Sequence, residues 1–231
     1  MQKYKVILFD LDHTLWDYEK NSQETLNEIY VNYKLNALCG FSFDQFHDRF
    51  GRVNSGLWRQ YDHGLIDRTT IRQERFHRIL KHFRIQDTEL ALRLSDDYLN
   101  LCPTKTNLLP YAHDVLGYLK QKYDLYILTN GFDDIQEIKL SNSKLKNYFS
   151  GMITSETIGH RKPSKEIFNH ALEVAGSTCN DTLMVGDNLL ADVLGAQGAS
   201  IDSVYFNPLR KVHRENIHLE INCLSQLMNI L

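Results

Sequence analysis

The chain has 231 residues, 42% of them hydrophobic and 24% charged, with a net charge of −3. That is the balance of an ordinary globular protein with room for one large domain or a core with an insert. The charge gives no reason to expect a nucleic-acid partner, and no apolar run approaches the ~18 residues needed to cross a bilayer.

The first element is a strand over Tyr4–Phe9. Its apolar run Val6-Ile7-Leu8-Phe9 opens straight into Asp10-Leu11-Asp12-His13-Thr14, which makes it a first strand rather than a signal peptide. From about 16 to 103 no strand pattern occurs. Amphipathic helices are expected over 22–35 (Leu26, Ile29, Tyr30, Tyr33), 43–61 (Phe46, Phe50, Val53, Leu57, Trp58), 69–83 and 87–101. Cys102-Pro103 and Leu109-Pro110 mark the return to alternating elements. A helix over 111–121 precedes a strand at Asp124–Thr129, and a strand at Gly151–Thr154 precedes a helix over 164–175 that starts after Pro163. Strands at Thr182–Val185 and Ser203–Phe206 follow.

Strand and helix in alternation predict an α/β fold, a Rossmann-like parallel sheet with helices on both faces. The expected domains are an α/β core of residues 1–15 and 104–231 and a helical insert of 16–103. The four cysteines (Cys39, Cys102, Cys179, Cys223) form no CxxC pair, which suggests free thiols and a cytoplasmic setting. No HExxH occurs among the ten histidines, so zinc is not expected.

Ligands of open α/β sheets sit at the carboxyl ends of the strands, so the residues after each strand carry the functional expectation. They are Asp10 and Asp12, then Thr129-Asn130-Gly131, then Lys162, then Asp187 with Asp192 five residues on. Asp10 and Asp187 make an oxygen-rich site of the sort that takes Mg2+ together with substrate phosphate. Lys162 adds positive charge, and Thr129 and Asn130 offer donors to phosphate oxygens.

DLDHT, TNG, KP and GDNLLAD, in this order, resemble the four motifs of the haloacid dehalogenase superfamily, and the resemblance covers the whole chain. The helical insert resembles the superfamily's cap, which closes over the core to exclude water and select substrate. The resemblance implies that Asp10 is a nucleophile forming an aspartyl-phosphate and that Asp12 is the general acid and base. It implies Mg2+ held by Asp10, Asp187 and the Asp12 backbone carbonyl. Thr129, Asn130, Gly131 and Thr14 would bind phosphate, Lys162 would offset charge, and Asp192 would support the metal from behind. Asp192 alone also fits a helix-decorating acid, and His13 fits a spacer.

Dehalogenases lack an acid at the Asp12 position because a halide leaves without a proton, so its presence favours phosphomonoesters. FDLDHTLWDYEKNS, NSGLWRQYDHG and LTNGFDDIQEIKLSNSKLKNYF resemble the pyrimidine nucleotidase branch, which points to nucleoside 5′-monophosphates as small-molecule substrates. Sugar-phosphate hydrolysis, a phosphomutase and a non-catalytic phosphoester-binding module are the alternatives. In the insert, Arg49, Arg52, Asn54, Trp58, Arg59 and Tyr61 cluster around an aromatic that could stack on a base. Trp58 in the insert's own core is the other reading, and Trp16 is divided between core and pocket wall in the same way.

Overall fold

The computed structural model describes residues 3–231, except for the side chains of Leu38 and Cys39. Cys102, Cys179 and Cys223 are free thiols; the expectation for Cys39 falls outside the described side chains. No helix among the described residues is long and apolar enough to cross a membrane.

Six parallel strands form one sheet in the order β3-β2-β1-β4-β5-β6. They are β1 (Val6–Phe9), β2 (Asp124–Thr129), β3 (Gly151–Thr154), β4 (Thr182–Gly186), β5 (Asp202–Phe206) and β6 (Leu219–Ile221). The α/β expectation holds and the five expected strands are present, with β1 two residues shorter at its start. β6 was not expected. It has three residues, a half-buried Leu219, an exposed Glu220 and a buried Ile221, too short for alternation to announce a strand.

β1 lies at the centre because all four of its residues are buried. A strand covered on both faces reads as a continuous apolar run, as VILF does. The chain adds β2 and β3 on one side of β1, then crosses to place β4 on the other. That reversal of direction is the switch point where doubly wound sheets bind ligands. Phe9 is in register with Ile127 on one side and Val185 on the other, so the ends of β1, β2 and β4 come level.

Contact density divides the chain into two compact units, Met1–Tyr18 with Thr106–Leu231, and Glu19–Lys105. In the sheet unit, α6 (Ala112–Leu119), α7 (Asp133–Asn142), α8 (Ser155–Ile158) and α9 (Lys165–Ala175) follow strands or precede them. Val6, Leu8, Leu128 and Met184 of the sheet pack against Ile167, Phe168 and Ala171 of α9 in one buried cluster. Trp16 and Tyr18 belong to this unit: Asp17 N donates to Asn107 O at 3.1 Å and Leu109 N to Leu15 O at 2.9 Å. Trp16 is fully buried, the core reading of the two.

The other unit is helical, with α1 (Tyr18–Asn32) from Glu19 onward, α2 (Leu35–Cys39), α3 (Phe43–Asp62), α4 (Arg68–His82) and α5 (Thr88–Leu101). Its helix starts are set by capping side chains. Ser42 forms a capping box with Gln45, Asp67 accepts from Thr70 N, and Asp87 accepts from Leu90 N. Phe46, Phe50, Phe76 and Tyr98 meet ring to ring in its interior. Trp58 is half-buried on α3, its ring edge-on to Tyr61 at 5.4 Å between centroids.

Candidate active site

The carboxyl ends of β1, β2 and β4 bring Asp10, Thr129 and Asp187 to one edge of the sheet. Asp10 N donates to Val185 O at 2.9 Å, which continues the ladder one residue beyond β1 and fixes where its side chain emerges. Lys162, on the loop before α9, is 2% exposed and reaches back to meet it. Its Nζ donates to Asp10 Oδ1 at 2.7 Å and to Leu128 O at 2.6 Å, and lies 2.7 Å from Asp192 Oδ1. A lysine head is normally exposed; here two carboxylates and a carbonyl replace its water.

Asp192 is held by an unusual element. Leu189–Leu194 is a π-helix, a wide turn that recurs at functional sites. It swings Asp192, 1% exposed, back to the end of β4, where Asn188 N donates to its Oδ2 at 2.9 Å. Gly186 makes room: a Cβ there would stand 2.2 Å from Asp192 Oδ2.

Acceptor oxygens of Asp10, Asp187 and Asp192 lie within 4.8 Å of one another. Three carboxyls against one ammonium leave two surplus acids, and the cost appears in their acidities. Burial raises Asp10 to about 7, with Lys162 pulling it down and Asp192 pushing it up. Burial, then the charge of Asp10, raises Asp187 to about 6. Burial also raises Asp192. Burial alone would lower Lys162, but Asp10 and Asp192 outweigh it and hold it charged. An all-oxygen set with surplus negative charge fits a hard divalent cation such as Mg2+. Where Asp192 was expected only as a support, it joins the cluster through its pairing with Lys162.

A pH dependence follows. A carboxyl whose folded pKa is raised binds more protons folded than unfolded, so stability is present below the unfolded value of 3.8 and is lost as pH rises towards about 6 to 7. Metal-free protein is therefore expected to melt at lower temperature as pH rises from about 4 to 7. Added Mg2+ is expected to raise the melting temperature most at the upper end of that window. Calorimetry at several pH values with EDTA or Mg2+ reads both trends.

Two residues expected at substrate make hydrogen bonds within the protein. Thr14 is fully buried under Asp187: its Oγ1 lies 3.3 Å from Asp187 Oδ1 and accepts from Asp187 N at 3.1 Å. It braces the Asp187 carboxylate. The Asn130 side chain spans the Lys162 backbone, accepting from Lys162 N at 2.8 Å and donating to Lys162 O at 3.0 Å. That pair of bonds fixes the loop that aims Lys162 and uses one of the two N–H donors of the amide.

Thr129 is different. Its Oγ1 accepts from Gly131 N at 3.0 Å and from Gln136 Nε2 at 2.8 Å. Two accepted bonds fill the hydroxyl's lone pairs and leave only its proton to give, which suits an anionic oxygen. Gly131 permits this approach, since a Cβ there would stand 2.2 Å from Gln136 Nε2. Asp12 is half-buried beside this group and is gripped by α7: Lys139 Nζ lies 2.7 Å from its Oδ1 and 2.8 Å from its Oδ2. Lys139 and Gln136 were not singled out in the sequence. His13, between the aspartates, holds a left-handed backbone (φ 63°), and its ring rests on Tyr18 at 4.9 Å. Trp58 lies in the other compact unit.

Over residues 4–200 the chain matches the haloacid dehalogenase-like hydrolases. It belongs to that family. The hydrolase is 31% identical to the putative HAD-hydrolase YfnB of Bacillus subtilis (strain 168), with 100% of this chain and 97% of that protein aligned. A crystal structure of YfnB bound to magnesium superimposes with a TM-score of 0.89 at 30% identity, covering 99% of this hydrolase and 98% of that chain. The hydrolase is also 32% identical to the pyrimidine 5′-nucleotidase PynA of Streptococcus pneumoniae (strain ATCC BAA-255 / R6), over 89% of this chain and 84% of that protein.

Proposed function

We propose that the hydrolase is a Mg2+-dependent phosphomonoesterase that works through a phosphoryl group carried on Asp10, with nucleoside 5′-monophosphates as its substrate class. The observation that carries the reading is the Asp10–Lys162–Asp192 cluster beside Asp12 and the Thr129 hydroxyl, which accepts from Gly131 N and Gln136 Nε2. The similarity to PynA supports the substrate class.

Asp10 attacks phosphorus, and Asp12 gives a proton to the leaving ester oxygen, splitting one hard displacement into two. Asp12 then takes a proton from water, whose oxygen bonds to phosphorus as the bond to Asp10 breaks. Thr129 and Lys162 present a donor and a fixed charge to the phosphoryl oxygens, and such preorganised charge supplies most of the stabilisation in phosphoryl transfer. Asp10, Asp187 and the Asp12 backbone carbonyl would hold Mg2+. When bound, the cation neutralises charge on the phosphoryl group and on the surplus carboxylates. In the helical unit, Trp58 is the candidate for stacking on a base.

The test is phosphate release from a panel of phosphomonoesters with and without Mg2+. The reading expects release that requires Mg2+ and is fastest with UMP or dTMP. Faster release from sugar phosphates would keep the chemistry and discard the nucleotide. Interconversion of hexose phosphates with little free phosphate would replace hydrolysis by a mutase reaction.

A further inference from the structure

Helix α7 turns a polar face inward. Gln136 and Lys139 are one turn apart on it and are 0% and 5% exposed. Both reach Asp12. Lys139 Nζ touches each carboxylate oxygen, at 2.7 Å and 2.8 Å, and Gln136 Nε2 donates to Oδ2 at 3.0 Å. A carboxylate offers about four lone-pair sites, two on each oxygen. The two donors fill both sites of Oδ2 and one of Oδ1, which leaves Oδ1 with the single open site. Lys139 is itself confined, its Nζ lying 4.5 Å from the Trp16 ring centroid. The same Nε2 of Gln136 donates to Thr129 Oγ1 at 2.8 Å, so one amide contacts both the acid and the hydroxyl.

We infer that Lys139 and Gln136 are positioning residues: they lock the Asp12 carboxylate so that Oδ1 is the oxygen that gives and takes the proton, and Gln136 ties that orientation to Thr129. The inference rests on the phosphomonoesterase reading. In the first step Asp10 bonds to phosphorus, the ester P–O bond breaks, and the leaving oxygen receives the proton from Asp12 Oδ1. In the second, Oδ1 receives a proton from water, the water oxygen bonds to phosphorus, and the bond to Asp10 breaks to release inorganic phosphate.

An ion pair that only fastened α7 to the sheet would have the same distances, but the two roles differ in a measurable way. A misplaced acid harms poor leaving groups, which need the proton, and spares good ones. The experiment measures kcat/KM at saturating Mg2+ for esters from p-nitrophenyl phosphate to alkyl and nucleoside 5′-phosphates. It uses the wild type, Lys139→Met, Lys139→Arg and Gln136→Leu, with melting temperatures measured alongside.

The expected result is a loss of roughly 10²-fold or more on alkyl esters, the scale of general acid catalysis. The loss on p-nitrophenyl phosphate is expected to be several-fold smaller, with partial recovery in Lys139→Arg and the same trend in Gln136→Leu. Equal losses on every ester, tracking a lowered melting temperature, would overturn the inference. So would faster alkyl-ester hydrolysis in Lys139→Met, because the pair would then be restraining the acid. If Lys139→Met does not fold, Gln136→Leu decides by the same comparison. A wild type that releases no phosphate from any ester removes the underlying reading as well, an outcome visible before any variant is made.

Discussion

Replacing Asp10 by Asn is expected to abolish phosphate release from every monoester, by roughly 10⁴-fold or more, while the protein stays folded. The size reflects removal of the attacking group itself, and losses of this order follow when a nucleophile is deleted. The fold should survive because Asn matches the shape, and Lys162 keeps Leu128 O and Asp192 as partners. One fewer buried carboxyl also relieves part of the repulsion that lifts Asp187 to about 6. The variant should therefore melt at the same temperature as wild type or above it in EDTA at pH 8. Steady-state assays with circular dichroism separate lost chemistry from lost structure.

Lys162→Met is expected to damage both. Lys162 is 2% exposed and contacts Asp10 and Asp192, which are 8% and 1% exposed. Removing one partner of a buried pair leaves charge uncompensated and typically costs ~3–5 kcal/mol, more than the pair itself contributes. For a chain of this size that lowers the melting temperature by roughly 10 °C. The loss should be smaller at pH 5 than at pH 8, since protonation of the stranded carboxyls relieves it. Phosphate release should fall by roughly 10²–10³-fold through loss of a fixed charge beside the phosphoryl group. Wild-type stability with normal turnover in this variant would contradict the place given to Lys162.

Much of the sheet was legible in the sequence because a central parallel strand has to be apolar on both faces, and β1, with all four residues buried, is. α7 was not legible, for the opposite reason: its inward residues are Gln136, Lys139 and Leu140, so no apolar stripe marks it. A helix that buries polar side chains against an active site hides from hydrophobic periodicity, and the Lys139–Asp12 pair was hidden with it. The π-helix is obscured in the same way, with Asp192 on its buried side.

Among the site residues, Asp10, Thr129, Lys162 and Asp187 converge at one edge because the strand order brings the ends of β1, β2 and β4 level. Thr14 and Asn130 have the hydrogen-bonding chemistry expected of them, and the fold turns part of it to Asp187 and to the Lys162 backbone. Residue type tells that a group will bond; only the fold tells to what.

The central claim is that phosphorus is carried on Asp10. It is tested most directly by acid-quenching the protein within milliseconds of mixing with Mg2+ and a monoester, then mapping the mass of one added phosphoryl group by peptide mass spectrometry. The account predicts that the label lies on Asp10 and that it is absent from Asp10→Asn. A label on another residue would contradict it, as would phosphate release that leaves the Asp10 peptide unmodified at every quench time.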